Sequence, residues 1–295
     1  MRRWPGGIAL GALMAVLLTG CGAPGGADGD LTDDWKGLPH AQAFVPQAGA
    51  CHSANDTVGY LSAYVPIDCS TLHRAETVHV GTFTGADADR VTPPPAGSPA
   101  MLAAFADCDA RTKQFVGADW RGARLSVRVL LPSPENWAGG GRWYRCDVFE
   151  LGTSSDGLGD DAAQRTGSLR DALKGPSPLA YTCIDKDGWW YLVAIGCDQP
   201  HRFEYVGVWT APYPSNPDFK ALAENTRRHC RSVIARYVGV PDDVLLEYRT
   251  GLAYRVPSKL AWAQGDRGIR CFLYSDRKIL KRSLKGTGTK GLPLN

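Results

Sequence analysis

The sequence predicts an α+β protein. It reads as two tandem disulfide-stapled repeats, each a small antiparallel sheet packed on one main helix, placed after a signal peptide and a flexible tether. Three observations predict this. Residues 65–80, VPIDCSTLHRAETVHV, and residues 193–208, VAIGCDQPHRFEYVGV, agree at half their positions. Residues 132–146, PSPENWAGGGRWYRC, and residues 257–271, PSKLAWAQGDRGIRC, agree at about half of theirs, at nearly the same offset. Two blocks recurring at one offset are the mark of a duplicated unit. The third observation is the cysteines. Of nine, eight follow Cys21, and they divide four and four: Cys51, Cys69, Cys108 and Cys146, then Cys183, Cys197, Cys230 and Cys271.

The elements follow in chain order. MRRWPGGIALGALMAVLLTGC begins with a basic pair, Arg2 and Arg3, and continues with a short apolar run from Ile8 to Leu18. That run is too short to span a bilayer, which takes about 20 apolar residues, and has the build of a signal peptide over residues 1–20. Leu18-Thr19-Gly20-Cys21 resembles a bacterial lipobox, which implies cleavage before Cys21 and lipidation of its thiol. A diacylglyceryl group carries two acyl chains such as palmitate, about what stable anchoring needs. Residues 21–46 are rich in Gly, Ala, Pro and Asp, the composition of a flexible tether; Trp35 within it has no assigned role.

Residues 47–150 are expected to form the first repeat. Ser98-Pro99 starts a helix bearing Leu102, Phe105 and Cys108, and ARLSVRVLL and RWYRCDVFEL form the closing strands around a Pro-x4-Trp turn. Residues 151–177 are expected to be a linker with a short helix. In the second repeat, residues 178–276, YTCIDKDGWWYLVAIGC reads as a hairpin turning at Asp185–Gly188, with Trp189 and Trp190 at its tip. HRFEYVGVW is the next strand. A helix follows from near Ser215, with Pro217 in its first turn and a core stripe of Phe219, Leu222, Ala223, Thr226, Cys230, Val233, Ile234 and Tyr237. The basic tail, residues 277–295, is expected to be disordered and drawn to anionic surfaces.

Four cysteines allow three pairings per repeat. The hairpin sets Cys183 near Cys197, and the helix stripe turns Cys230 toward the strand of Cys271. The expected bridges are therefore Cys51–Cys69, Cys108–Cys146, Cys183–Cys197 and Cys230–Cys271. The loops they would close, of 18, 38, 14 and 41 residues, contribute about 3–4 kcal/mol each on the chain-entropy account.

Each repeat carries Cys-x3-His-Arg-x-Glu. Its residues offer thiolate, imidazole and carboxylate ligands (Cys69, His73 and Glu76; Cys197, His201 and Glu204), or a His–Glu proton shuttle. Against metal, the cysteines pair off in an oxidising compartment and leave two ligands. Against catalysis, the chain has no Gly-x-Ser-x-Gly, no His-Glu-x-x-His and no Gly-rich phosphate loop. The structural reading sets the His against backbone in the turn after the Cys and the Glu against the neighbouring Arg or a turn. In the second block, Trp137 and Trp262 cover helix or disulfide, Gly140 and Gly265 suit positive φ in a hairpin, and Arg142 and Arg267 offer binding cations or a solvated face. A formal charge of +3, mixed along the chain, argues against nucleic acid.

Together, the tethered lipoprotein start, the Cys-x-x-Pro-His block at Cys197 and the Trp-x-x-Gly-x-Arg-x-x-x-Cys-like blocks resemble the septum-formation family of actinobacterial envelope proteins. Leu72 stands in the first repeat where Pro200 stands in the second. The resemblance implies a cell-envelope location and a link to division, and carries over no catalytic residue. The expected function is a non-enzymatic lipoprotein on the outer face of the cell membrane, binding an envelope or protein partner without cofactor or metal. The alternative is an envelope hydrolase or transferase using a His/Glu pair.

Overall fold

The computed structural model describes residues 43–152, 162–187, 191–213, 219–276 and 278–294. The signal peptide and most of the tether, the hairpin tip with Trp189 and Trp190, and the helix start at Ser215 and Pro217 lie outside them. Residues 43–295 form one compact unit.

Two five-stranded sheets carry the fold. The first contains β1 (Cys51–His52), β2 (Pro66–Ile67), β3 (Ala75–Thr82), β4 (Leu125–Leu130) and β5 (Trp143–Glu150) in the order β2-β1-β3-β5-β4. The second contains β6 (Cys183–Asp187), β7 (Tyr191–Ile195), β8 (Phe203–Thr210), β9 (Gly251–Arg255) and β10 (Gly268–Tyr274) in the order β7-β6-β8-β10-β9. The orders are the same strand for strand, and every pairing is antiparallel. The α+β duplication expected from the sequence is the architecture observed.

One long helix packs on each sheet. Helix α1 (Pro99–Val116) starts where the Ser98 hydroxyl accepts from the Met101 N–H and Pro99 occupies the first turn. It stops at Gly117, whose φ of 94° is the left-handed cap. Its buried face is Met101, Ala104, Phe105, Cys108, Thr112 and Phe115; Leu102 is half-buried. In the second repeat α3 (Phe219–Val238) buries Leu222, Thr226, Cys230, Val233 and Ile234. The Pro-x4-Trp turns are short helices, α2 (Pro134–Ala138) and α4 (Lys259–Gln264), each capped by a serine. Gly140 and Gly265 do take positive φ, of 96° and 130°, but they terminate these helices rather than turning a hairpin.

Two disulfides close within each repeat. Cys51–Cys69 and Cys183–Cys197 tie the edge hairpins, and Cys108–Cys146 and Cys230–Cys271 tie the long helix to its sheet.

The segments read as linker and tail differ from expectation. Among its described residues, 162–177, the linker has turns and no helix, and Leu169 is part of the first core. The basic tail is folded: Leu284 and Leu292 are buried in the second core, and α5 (Gly288–Gly291) lies between them. Burying those leucines offsets the cost of ordering the chain. Each segment also makes a bridge to its own repeat, Arg165 to His73 and Leu280 to His201. They are equivalent straps that complete each repeat.

The repeats are joined through polar groups. β4 is an edge strand, and the side-chain amide of Gln264 pairs with Val129 as a neighbouring strand would, accepting from its N–H at 3.1 Å and donating to its carbonyl at 2.7 Å. This covers an edge that would otherwise expose backbone groups. Arg121, in the turn Trp120–Gly122, donates to Asp266 through Nε (3.0 Å) and Nη2 (2.8 Å), and to Asp109 through Nη1 (2.6 Å). Gly265 packs on Phe105 so closely that a Cβ would lie 2.9 Å from the Phe105 Cβ.

Candidate functional site

The doubled His–Glu motif places its side chains at the start of β3 and of β8, beside the edge disulfides. His201 and Glu204 are fully buried, and His73 and Glu76 nearly so. His201 Nδ1 faces the Gln199 carbonyl at 2.7 Å, and its Nε2 lies 3.3 Å from Glu204 Oε1. A carbonyl only accepts, so Nδ1 carries the hydrogen of that contact. Glu204 also accepts from Tyr237 Oη (2.9 Å), Ser283 Oγ (2.9 Å) and the Leu284 N–H (2.9 Å). Burial pushes the Tyr237 phenol up to about 12, with the Glu204 charge adding to it, so the phenol stays a donor.

The first copy is built alike but is simpler. His73 Nδ1 faces the Thr71 carbonyl at 2.8 Å, while its Nε2 has no hydrogen-bond partner. Glu76 accepts from Ser168 Oγ at 2.6 Å and the Leu169 N–H at 2.7 Å. The His–Glu contact thus forms in the second repeat and not in the first. Of the two partners the sequence offered each glutamate, the neighbouring arginine or a turn, the arginine is engaged elsewhere: Arg74 donates to the Ala162 carbonyl and Arg202 to that of Asp276. Both glutamates instead grip a Ser-Leu pair in the strap. That partner was missed, although GSLR at 167–170 and RSLK at 282–285 follow the two repeats and carry the signal.

Cys51, Cys69 and Glu76 hold donor atoms within 4.8 Å of one another, as do Cys183, His201 and Glu204. The sulfurs are bound in disulfides, so neither group offers the thiolate that a metal would take.

The Trp–Arg blocks are likewise internal. Arg142 stacks over Trp137 with its guanidinium carbon 4.4 Å from the ring and donates to the carbonyls of Ala88, Trp137 and Gly141. Arg267 lies 4.6 Å over Trp262 and donates to the carbonyls of Tyr213, Trp262 and Asp266. Each arginine adds a donor to the carbonyl of the tryptophan in the last turn of its short helix. Trp137 Nε1 donates to the Arg90 carbonyl at 2.8 Å.

Open space lies between the repeats. A cleft of about 560 Å³ runs between α1 and the β8–β10 end of the second sheet, bordered by Leu102, Asp109, Lys113, Arg121, Tyr213 and Arg267. Burial alone would raise the Asp109 carboxyl, but the Arg121 guanidinium overrides it and holds it below its ordinary value. A second cavity of about 350 Å³ is lined by Ser126, Tyr254, Arg255, Ser258, Asp266 and Arg270, with other residues. Neither space is lined by His73, Glu76, His201 or Glu204. Cys21 lies outside the described residues, and among those residues no helix is long and apolar enough to cross a membrane.

Comparison with known proteins returns no match among curated proteins and none among solved structures. The family model described as Septum formation matches residues 48–271. Its span takes in the first sheet, the second as far as Cys271 in β10, both Cys-x3-His-Arg-x-Glu motifs and all four disulfides, and on that match the chain belongs to the septum-formation family.

Proposed function

We propose that the protein is a lipid-anchored, extracytoplasmic lipoprotein of the cell envelope, acting as a non-enzymatic binding or structural module in septum formation. The observation that carries the non-enzymatic part is the closure of both His–Glu motifs. Each carboxylate is spent on a strap serine and a backbone N–H, and neither histidine reaches a cavity described above. A general base needs to stand within hydrogen-bond reach of a substrate proton, and these are walled off. Anchoring through Cys21 rests on Leu18-Thr19-Gly20-Cys21 after a short apolar run. Family membership supports the link to septa.

The test is fractionation of cells producing the full chain. Wild type should sediment with membranes and incorporate labelled palmitate. Cys21→Ser should lose the label and be released or remain unprocessed. Full membrane retention of unlabelled, mature-size Cys21→Ser protein would refute the anchor. Loss of an envelope activity in His201→Ala at unchanged melting temperature would refute the non-enzymatic reading.

A further inference from the structure

The two straps occupy equivalent places but treat their charges differently. In the first, every described cation is engaged. Arg165 Nη1 lies 4.0 Å from Glu150 Oε2, the Arg170 guanidinium carbon lies 4.5 Å over the Phe115 ring, and Lys174 Nζ lies 3.0 Å from Asp171 Oδ1. In the second, Lys278, Lys281, Arg282, Lys285 and Lys290 are all exposed, and among the described residues none of them forms an ion pair or stacks on a ring. Residues 277–295 contain no Asp or Glu, and the nearest acid in sequence, Asp276, precedes all five cations. One copy has spent the charges of its strap, and the other has kept them in solvent.

Those cations are not carried on a loose tail. Leu280 pairs with His201, the Leu284 N–H donates to Glu204, the Gly286 N–H donates to the Tyr237 carbonyl, and Arg249 donates to the Leu292 carbonyl. Leu284 and Leu292 point into the core. The cations between these attachment points therefore stand on the side turned away from the core, on a backbone already fixed by folding. Their mutual repulsion is tolerated because solvent screens it, and an anionic surface would remove it. Two apolar residues are exposed among them, Ile279 at 53% and Leu294 at 50%.

We propose that the outward side of the second strap docks on the surface of an anionic lipid bilayer, as an electrostatic contact additional to the acyl anchor. Clustered Lys and Arg are drawn to anionic headgroups, and an acyl anchor joined to a polybasic patch holds more firmly than either alone. The choice of a bilayer over another polyanion rests on the anchor proposed at Cys21, which is 22 positions before Ala43, where the described residues begin. It is favoured as well by Ile279 and Leu294, which an interface takes up and a soluble polyanion leaves in water. Docking on this side would give the second repeat a preferred orientation toward the membrane.

Sedimentation of the purified Cys21→Ser full chain with vesicles tests this without any acyl chain. The vesicles are phosphatidylcholine alone and an equimolar mixture with phosphatidylglycerol. The expected result is binding to the mixed vesicles that added salt weakens. Lys281→Glu/Arg282→Glu/Lys285→Glu should weaken it tenfold or more. The apolar run Ile8–Leu18 is the same in both proteins, so the difference between them reads the strap. The corresponding triple Gln variant serves in its place if circular dichroism shows the Glu variant unfolded. Equal binding to both kinds of vesicle, or binding that the folded variant leaves unchanged, overturns the proposal. Tighter binding to soluble polyglutamate than to the mixed vesicles, at equal charge, also overturns it and assigns the face to an acidic polymer. Because no lipidated protein is used, failure here leaves the Cys21 anchor to its own fractionation test.

Discussion

His52 shows how a single buried group sets a condition on the fold. Its Nε2 donates to Thr77 Oγ1 at 2.9 Å, and Thr77 in turn donates to Asp147 Oδ1 at 2.8 Å. Burial lowers the His52 pKa to about 4 from 6.5, against the opposing pull of Asp147. A histidine depressed in the folded state takes up its proton more readily when unfolded. Its contribution is therefore complete above the unfolded pKa and is lost as pH falls through the window from about 6.5 to about 4. The loss should amount to about 3 kcal/mol. Urea titrations of wild type and His52→Gln at pH 7 and pH 4 measure it, because the amide keeps the donor to Thr77 without titrating. A wild type that loses no more stability than the variant contradicts the assignment. Cys-x3-His-Arg-x-Glu could be read as a local unit at this level, since each histidine does meet a carbonyl two residues back. The glutamates could not, because their partners lie in strap residues far along the chain.

Those straps are the least regular elements of the molecule, yet they close it. In the second repeat Glu204 holds Ser283, Leu284, Tyr237 and His201 together inside the core. Glu204→Ala strands these donors in a buried setting, and a broken buried charge cluster costs about 3–5 kcal/mol. Glu76 holds only Ser168 and Leu169 by conventional hydrogen bonds, and Glu76→Ala should cost about 2 kcal/mol. Chemical denaturation of the two variants should rank them in that order, and equal losses would mean that the histidine and tyrosine contribute nothing to the strap. The basic tail reads as disordered because its lysines dominate any local window. Leu284 and Leu292 order it because they pack among Ile234, Val238, Val240 and Leu246 in the second core.

Across the whole molecule the repeats act as one body. Arg121 and Asp266 are buried where they meet, and Arg270 and Gln264 reach from the second repeat to backbone of the first. A buried, doubly hydrogen-bonded ion pair that loses one member costs about 3–5 kcal/mol. The full chain should therefore unfold in a single calorimetric transition, and Asp266→Ala should either lower that transition as a unit or split it in two. A wild-type scan already showing two independent transitions would mean that the interface couples nothing. The cleft and the arginine-lined cavity belong to this level alone, since each is walled by both repeats.

The α+β class, the duplication and the disulfide-stapled build are all written in the linear chain. Hydrophobic period, serine and proline at helix starts, and cysteine number are local properties, and a repeated block displays them twice. What the chain order hides is every interaction between segments distant in sequence. Folding turned the apparent linker and tail into straps, spent the acidic half of the doubled motif on them, and capped a sheet edge with Gln264. It also set Arg255 against Arg270, because register across a sheet is decided by which strands meet and not by either strand alone. The physical reason is that a buried charge or polar group is satisfied by whatever donor the packing brings near, and that donor has no fixed distance along the chain.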